Sequence, residues 1–131
     1  MSNNQFKVAL IGIVFDPKSR KILLGKNKED KEFSFLEGEL NKKRELDIEL
    51  KKVARKKTGY KVHNLGSIYA RNHLKKDKEK LELFFLCEAT EGREKPGKNV
   101  AELIWIKPSE IKNYIKEKLP TRLREYILGL E

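Results

Sequence analysis

The chain has 131 residues, enough to bury one hydrophobic core and the size of one ordinary domain. Its 30 Lys and Arg against 20 Asp and Glu give a net charge of +10, and its apolar residues (38%) are grouped in short runs, which excludes a disordered chain. One cysteine excludes an intrachain disulfide and a multi-cysteine zinc site, and no apolar stretch approaches the roughly 18 residues of a membrane span.

Met1 to Gln5 reads as a short flexible polar tail with no signal-peptide pattern, so a cytoplasmic location is expected. The run Val8 to Phe15 is β-branched and almost wholly apolar, as a strand buried on both faces would be. Asp16-Pro17-Lys18-Ser19-Arg20 has turn chemistry, and Lys21 to Gly25 reads as a second strand closing a hairpin. A polar stretch, Lys26 to Glu32, leads to Phe33-Ser34-Phe35-Leu36-Glu37-Gly38. Between Glu45 and Thr58 the residues Leu46, Leu50, Val53 and Ala54 form one stripe of an amphipathic helix, with Ile48 off the stripe. Gly59 stands where a helix C-cap would, after a last turn crowded with Lys and Arg that suit the negative end of the helix dipole. Strands follow at about Leu65 to Arg71 and Leu81 to Ala89, separated by a charged hairpin, Lys75 to Lys80. After a Gly/Pro loop from Thr90 to Asn99 come a short strand, Leu103 to Ile106, a helix start at Pro108-Ser109-Glu110-Ile111, and a final helix from Pro120-Thr121. That helix carries Leu123, Tyr126, Ile127 and Leu130 on one face. With no repeat and no linker, residues 1–131 form one mixed α/β domain.

Two segments carry a family resemblance. Phe33-Ser34-Phe35-Leu36-Glu37-Gly38 has an aromatic at each expected place of a W-x-F-P-G-G opening, and Gly38 and Gly59 have the spacing of the box G-x5-E-x7-R-E-U-x-E-E-x-G-U. Ala54 and Tyr60 fall on its two apolar positions, and Glu102-Leu103-Ile104-Trp105-Ile106 with Pro108 to Ile111 resembles a late Trp-strand and short helix. From Phe6 onward the chain resembles the Nudix (MutT-like) hydrolases. That resemblance implies an α/β/α sandwich with a mixed β-sheet.

In active Nudix members the helix glutamates bind Mg²⁺ or Mn²⁺, which activates water against a nucleoside diphosphate derivative; hard cations need convergent carboxylate oxygens. The matching positions here hold Val53, Lys56 and Lys57; the box arginine is Lys52 and the loop glutamate is Arg44. The resemblance therefore implies a degenerate box: Gly38, Arg44, Lys52, Val53, Ala54, Lys56, Lys57, Gly59 and Tyr60. From Glu39 to Lys57 there are eight basic and four acidic residues, a local charge of +4. Ammonium groups there would repel a divalent cation by several kcal/mol at an effective dielectric of about 20 and would attract phosphate. Substitute carboxylates are Glu37, Glu39, Glu45 and Glu102; the plain alternative is surface charges pairing with nearby lysines, as Glu49 would with Lys52.

Ligand contacts are expected from Lys52, Lys56, Lys57, Arg44, Phe33, Phe35 and Arg71, the last sharing strand parity with Tyr69 and His73. Neither His63 nor His73 has a ligand-spaced partner, Cys87 lies in an apolar run as a buried inert thiol would, and Trp105 reads as core. The enrichment in Lys and Glu matches intracellular proteins of hot organisms, as it would an AT-rich genome.

Three functions compete. The first is non-hydrolytic binding of nucleotide, RNA or another anionic partner on a Nudix scaffold, with no cofactor. The second is a metal-dependent pyrophosphohydrolase using Glu39, Glu45 and Glu102 with Mg²⁺ or Mn²⁺. The third is a structural interaction domain, whose mark would be a stable oligomer without nucleotide binding.

Overall fold

The computed structural model describes residues 7–75 and 78–131, with the side chains of residues 73–75 and 78 left aside. The expectations for the tail 1–5, for the tip of the charged hairpin and for the His73 side chain lie outside the described residues.

The elements run β1 (Lys7–Asp16), β2 (Lys21–Asn27), β3 (Leu36–Glu39), α1 (Leu46–Thr58), β4 (Tyr60–Lys75), β5 (Lys78–Gly92) and β6 (Val100–Ile106), then a 3₁₀ helix (Pro108–Asn113) and α2 (Thr121–Leu128). They form a six-stranded sheet in the order β4-β5-β1-β2-β6, with β3 paired to β1. The β1–β5 pair is parallel and the others are antiparallel, so the sheet is mixed.

The alternation of β1 builds the layers. Ile11, Ile13 and Phe15 point to one face, where Phe84, Ile111, Leu123 and Ile127 complete a core under α2 and the 3₁₀ helix. Leu10 and Val14 point to the other, against Leu50 and Ala54 of α1. A strand buried on both faces has no polar side to offer water, hence its apolar run.

β4 and β5 are longer than the sequence predicts. Their register shifts at Lys61/Val62, Asn64/Gly66 and Ser67/Tyr69 skip Thr90 of β5 and Leu65 and Ile68 of β4, which breaks the alternation a strand reading relies on. In α2, Leu123 and Ile127 are buried but Tyr126 is 39% exposed, so the apolar face is narrower than expected.

The C-terminus of α1 is locked in place. Gly59, at φ 83°, donates to Arg55 O, while Lys95 N donates to Thr58 O and Gly97 N to Lys57 O. A Cβ on Gly97 would lie 2.4 Å from Lys56 O, so the 93–98 loop approaches the helix more closely than a side chain allows.

Candidate functional site

Two neighbouring features meet at Glu37. The first is the α1 face turned toward β3. Helix periodicity puts Val53 and Lys57, four residues apart, over that strand. Val53 fills the space a side chain at Gly38 would need: a Cβ there would come within 2.5 Å of Val53 Cγ2. Lys57 Nζ donates to Glu37 O at 2.6 Å. The helix thus brings a methyl group and an ammonium to the β3 backbone.

The second feature is a cavity of about 430 Å³ on the opposite side of the sheet, under the segment that follows the 3₁₀ helix. Its apolar walls are Phe33, Phe35, Phe84, Ile11, Ile115 and Leu119. Its charged lining comprises five carboxylates (Asp30, Glu32, Glu37, Glu82, Glu117) and two cations (Lys31, Arg71). For a chain of net charge +10 this is a local reversal of sign.

Across this region runs a row of alternating charges. Lys80 Nζ lies 3.0 Å from Glu37 Oε2 and 3.6 Å from Glu82 Oε2. Arg71 Nε donates to Glu82 Oε1 at 2.6 Å and Arg71 Nη2 to Glu117 Oε1 at 2.6 Å. Burial works against both cations, but the hydrogen bonds and fields of Glu37 and Glu82 on Lys80, and of Glu117 and Glu82 on Arg71, outweigh it and raise both pKa values.

Of the residues singled out in the sequence, Phe33, Phe35 and Arg71 come together in the cavity, and Lys57 approaches from the other face of the same strand. Phe35 is buried, whereas half-buried Phe33 meets Tyr114 edge-on with Lys26 over its ring. Tyr69 packs edge-on against Phe84. Lys52 and Lys56 are exposed, with no ion pair among the described residues. Arg44 turns to the buried Glu49 at 3.1 Å, so it is that residue, and not Lys52, that partners Glu49. The pair along the helix is Asp47–Lys51.

Of the four substitute carboxylates Glu37 lines the cavity, and Glu39, Glu45 and Glu102 are not brought together. Glu39 faces Lys7 at 4.0 Å, Glu102 faces Lys26 at 3.9 Å on the β2–β6 pair, and exposed Glu45 precedes α1, its carbonyl accepting from Glu49 N. Among the described residues no three His, Cys, Asp or Glu groups are arranged to hold a metal ion. Burial, with the charge of Asp47 second, pushes the Cys87 thiol up to about 12, which leaves it a protonated core residue at neutral pH. Trp105 is half-buried with its indole N–H on Glu94.

Sequence reasoning missed Glu82, Glu117 and Lys80. Glu82 carried a signal: it shares parity with Phe84 and Leu86 on β5, so a carboxylate was due on an apolar face. Glu117 carried none, since its partner Arg71 is 46 residues away.

No protein-family model matches the chain, and no curated protein matches it. Solved structures do. A MutT protein from Methanosarcina mazei superimposes with a TM-score of 0.76 at 15% identity, over 99% of this chain and 96% of that one. A Nudix hydrolase from Nitrosomonas europaea gives 0.79 at 12% identity, over 97% and 92%. A Nudix-family hydrolase from Clostridium perfringens gives 0.69 at 14%, over 98% and 97%. The chain has the Nudix fold, an α/β/α arrangement around a mixed sheet, as its motifs led us to expect. Among the described residues no helix is long and apolar enough to cross a membrane.

Proposed function

We propose that this protein is a non-hydrolytic binding domain for a phosphate-bearing ligand of the nucleotide type. The observation that carries the reading is the contact between α1 and β3: Val53 against Gly38, and Lys57 Nζ on Glu37 O at 2.6 Å. These residues do not fit a divalent cation. Val53 offers no donor atom, and Lys57 brings a positive charge to a carbonyl that would otherwise be available to one. Hard cations need carboxylate oxygens, and the carboxylates that do converge here, Glu37, Glu82 and Glu117, are each already paired with Lys80 or Arg71.

The charge distribution orients the ligand. An acidic, aromatic-walled cavity disfavours phosphate but accepts a heterocycle, whose N–H donors meet carboxylates and whose face stacks on Phe33. The phosphates then lie outside the cavity, at the Glu37 end, where Lys57 of α1 reaches the β3 backbone. Binding of this kind requires no metal and weakens as salt screens the lysines.

The test is calorimetric titration with ADP in the presence of EDTA and again with Mg²⁺, together with a phosphate-release assay. Metal-independent binding is expected, with no turnover. Phe33→Ala should weaken it by about 5- to 150-fold, the roughly 1–3 kcal/mol of one base–aromatic stack. Mg²⁺-dependent turnover that disappears in Glu37→Gln would overturn the reading in favour of a hydrolase built on the cavity carboxylates.

A further inference from the structure

Beyond the cavity, the chain builds a continuous basic surface across the last turns of α1 and the loop packed on them. Lys52, Arg55 and Lys56 lie at i, i+3 and i+4 and are all exposed. The backbone bonds that lock the 93–98 loop onto the helix end set Arg93, Lys95 and Lys98, also exposed, beside the same turn. The contact is tight: a Cβ on Gly59 would lie 3.0 Å from Lys95 Cβ. Glu94, the acidic residue within this loop, accepts from the Trp105 indole. Six cations are therefore held on one rigid surface, and among the described residues none of them is in an ion pair.

From these observations we infer that the surface is a track for single-stranded nucleic acid. The inference rests on the reading of α1 as a phosphate-binding face and names its partner as a polymer. Two features favour a nucleic acid strand. The row runs from Lys52 to Lys56, just over one turn of the helix or about 6 Å, and then continues along the loop, longer in all than the phosphate chain of one nucleotide needs. Next to it stand two half-buried aromatics in edge-to-face contact, Tyr60 at the helix end and Trp105 beside Glu94. Phosphate-binding lysines beside ring surfaces are what a single strand uses, because its bases are free to stack. An acidic peptide would use the charges and leave the rings without a role.

The experiment is fluorescence anisotropy with a labelled oligouridylate from low to moderate KCl, on the full chain, with polyglutamate as competitor. If all six cations meet phosphates, the log–log salt slope is about −4, and Lys95→Gln/Lys98→Gln should reduce it to about −3. ADP titrated into the same double variant should bind as it does to the unaltered protein. No oligonucleotide binding at low salt, or a salt slope unmoved by the double variant, would overturn the track; ADP binding retained in that case leaves the cavity reading standing. Polyglutamate displacing the strand at equal charge concentration would also overturn it, in favour of an acidic protein partner.

Discussion

Arg71 offers the sharpest test of how this region is held together. Its guanidinium lies 2.6 Å from Glu82, whose side chain is 7% exposed, and 2.6 Å from Glu117, whose side chain is 52% exposed. The two arms are not equal. An ion pair to a half-exposed carboxylate is worth about 0–1 kcal/mol, whereas removing one partner of a buried pair strands the other's charge and costs about 3–5 kcal/mol. Lys80, 3.6 Å from Glu82, retains part of that compensation, so we place Arg71→Leu at the lower end, about 3 kcal/mol. For a domain of this size that is a fall in Tm on the order of 10 °C. Glu117→Gln should cost less than about 1 kcal/mol. The double variant Arg71→Leu/Glu82→Leu should cost clearly less than the sum of the two single changes, because neither charge is left alone in the sheet. Urea denaturation of the four proteins closes the cycle. A loss below about 1 kcal/mol for Arg71→Leu, or strict additivity in the cycle, would refute the argument.

Two further outcomes follow from contacts elsewhere. Gly38→Ala forces its methyl into Val53 and should destabilise by about 1–3 kcal/mol in urea, and Val53→Ala in the same chain should recover part of that loss. Cys87 should resist iodoacetamide at pH 8.5 in the folded protein and react once unfolded. Because its folded pKa is raised from 9.0 to about 12, the unfolded state loses this proton first, so stability should decline as pH rises through that window. Urea curves at pH 8 and 10 should show a smaller decline for Cys87→Val.

The sequence made most of the scaffold legible because its signals are local. The Leu46–Leu50–Ala54 stripe, Gly59 at a left-handed cap and the unbroken apolar run of β1 each specify one element and its buried side. The α1 end of the site was legible for the same reason: once the helix is placed, Val53 and Lys57 must share a face. The cavity was not. Its charged members come from the loop before β3 and from β3, β4, β5 and the segment before α2, and what the strand residues do depends on pairing across the sheet. A glutamate in a strand is only a glutamate until Arg71 and Lys80 are found beside it. The substitute carboxylates failed on the same ground: nearness in sequence to the box put Glu39 and Glu45 in view, but it could not say that Lys7 and solvent are what they face.

The register shifts of β4 carry a consequence for the molecule in company. Among the described residues β4 ends the sheet, so one row of its amides and carbonyls has no strand beyond it. A long, straight edge of that kind is a template on which another chain can add a strand and start a fibril. Here three irregularities fall within Lys61 to Tyr69, two of them extra residues of β4 itself (Leu65 and Ile68), and these twist the strand and disturb the spacing that an incoming backbone would have to match. The same irregularities that hid β4 from a pattern-based reading make it a poor docking edge, and together with a surface of like charge they favour copies that stay apart at high concentration.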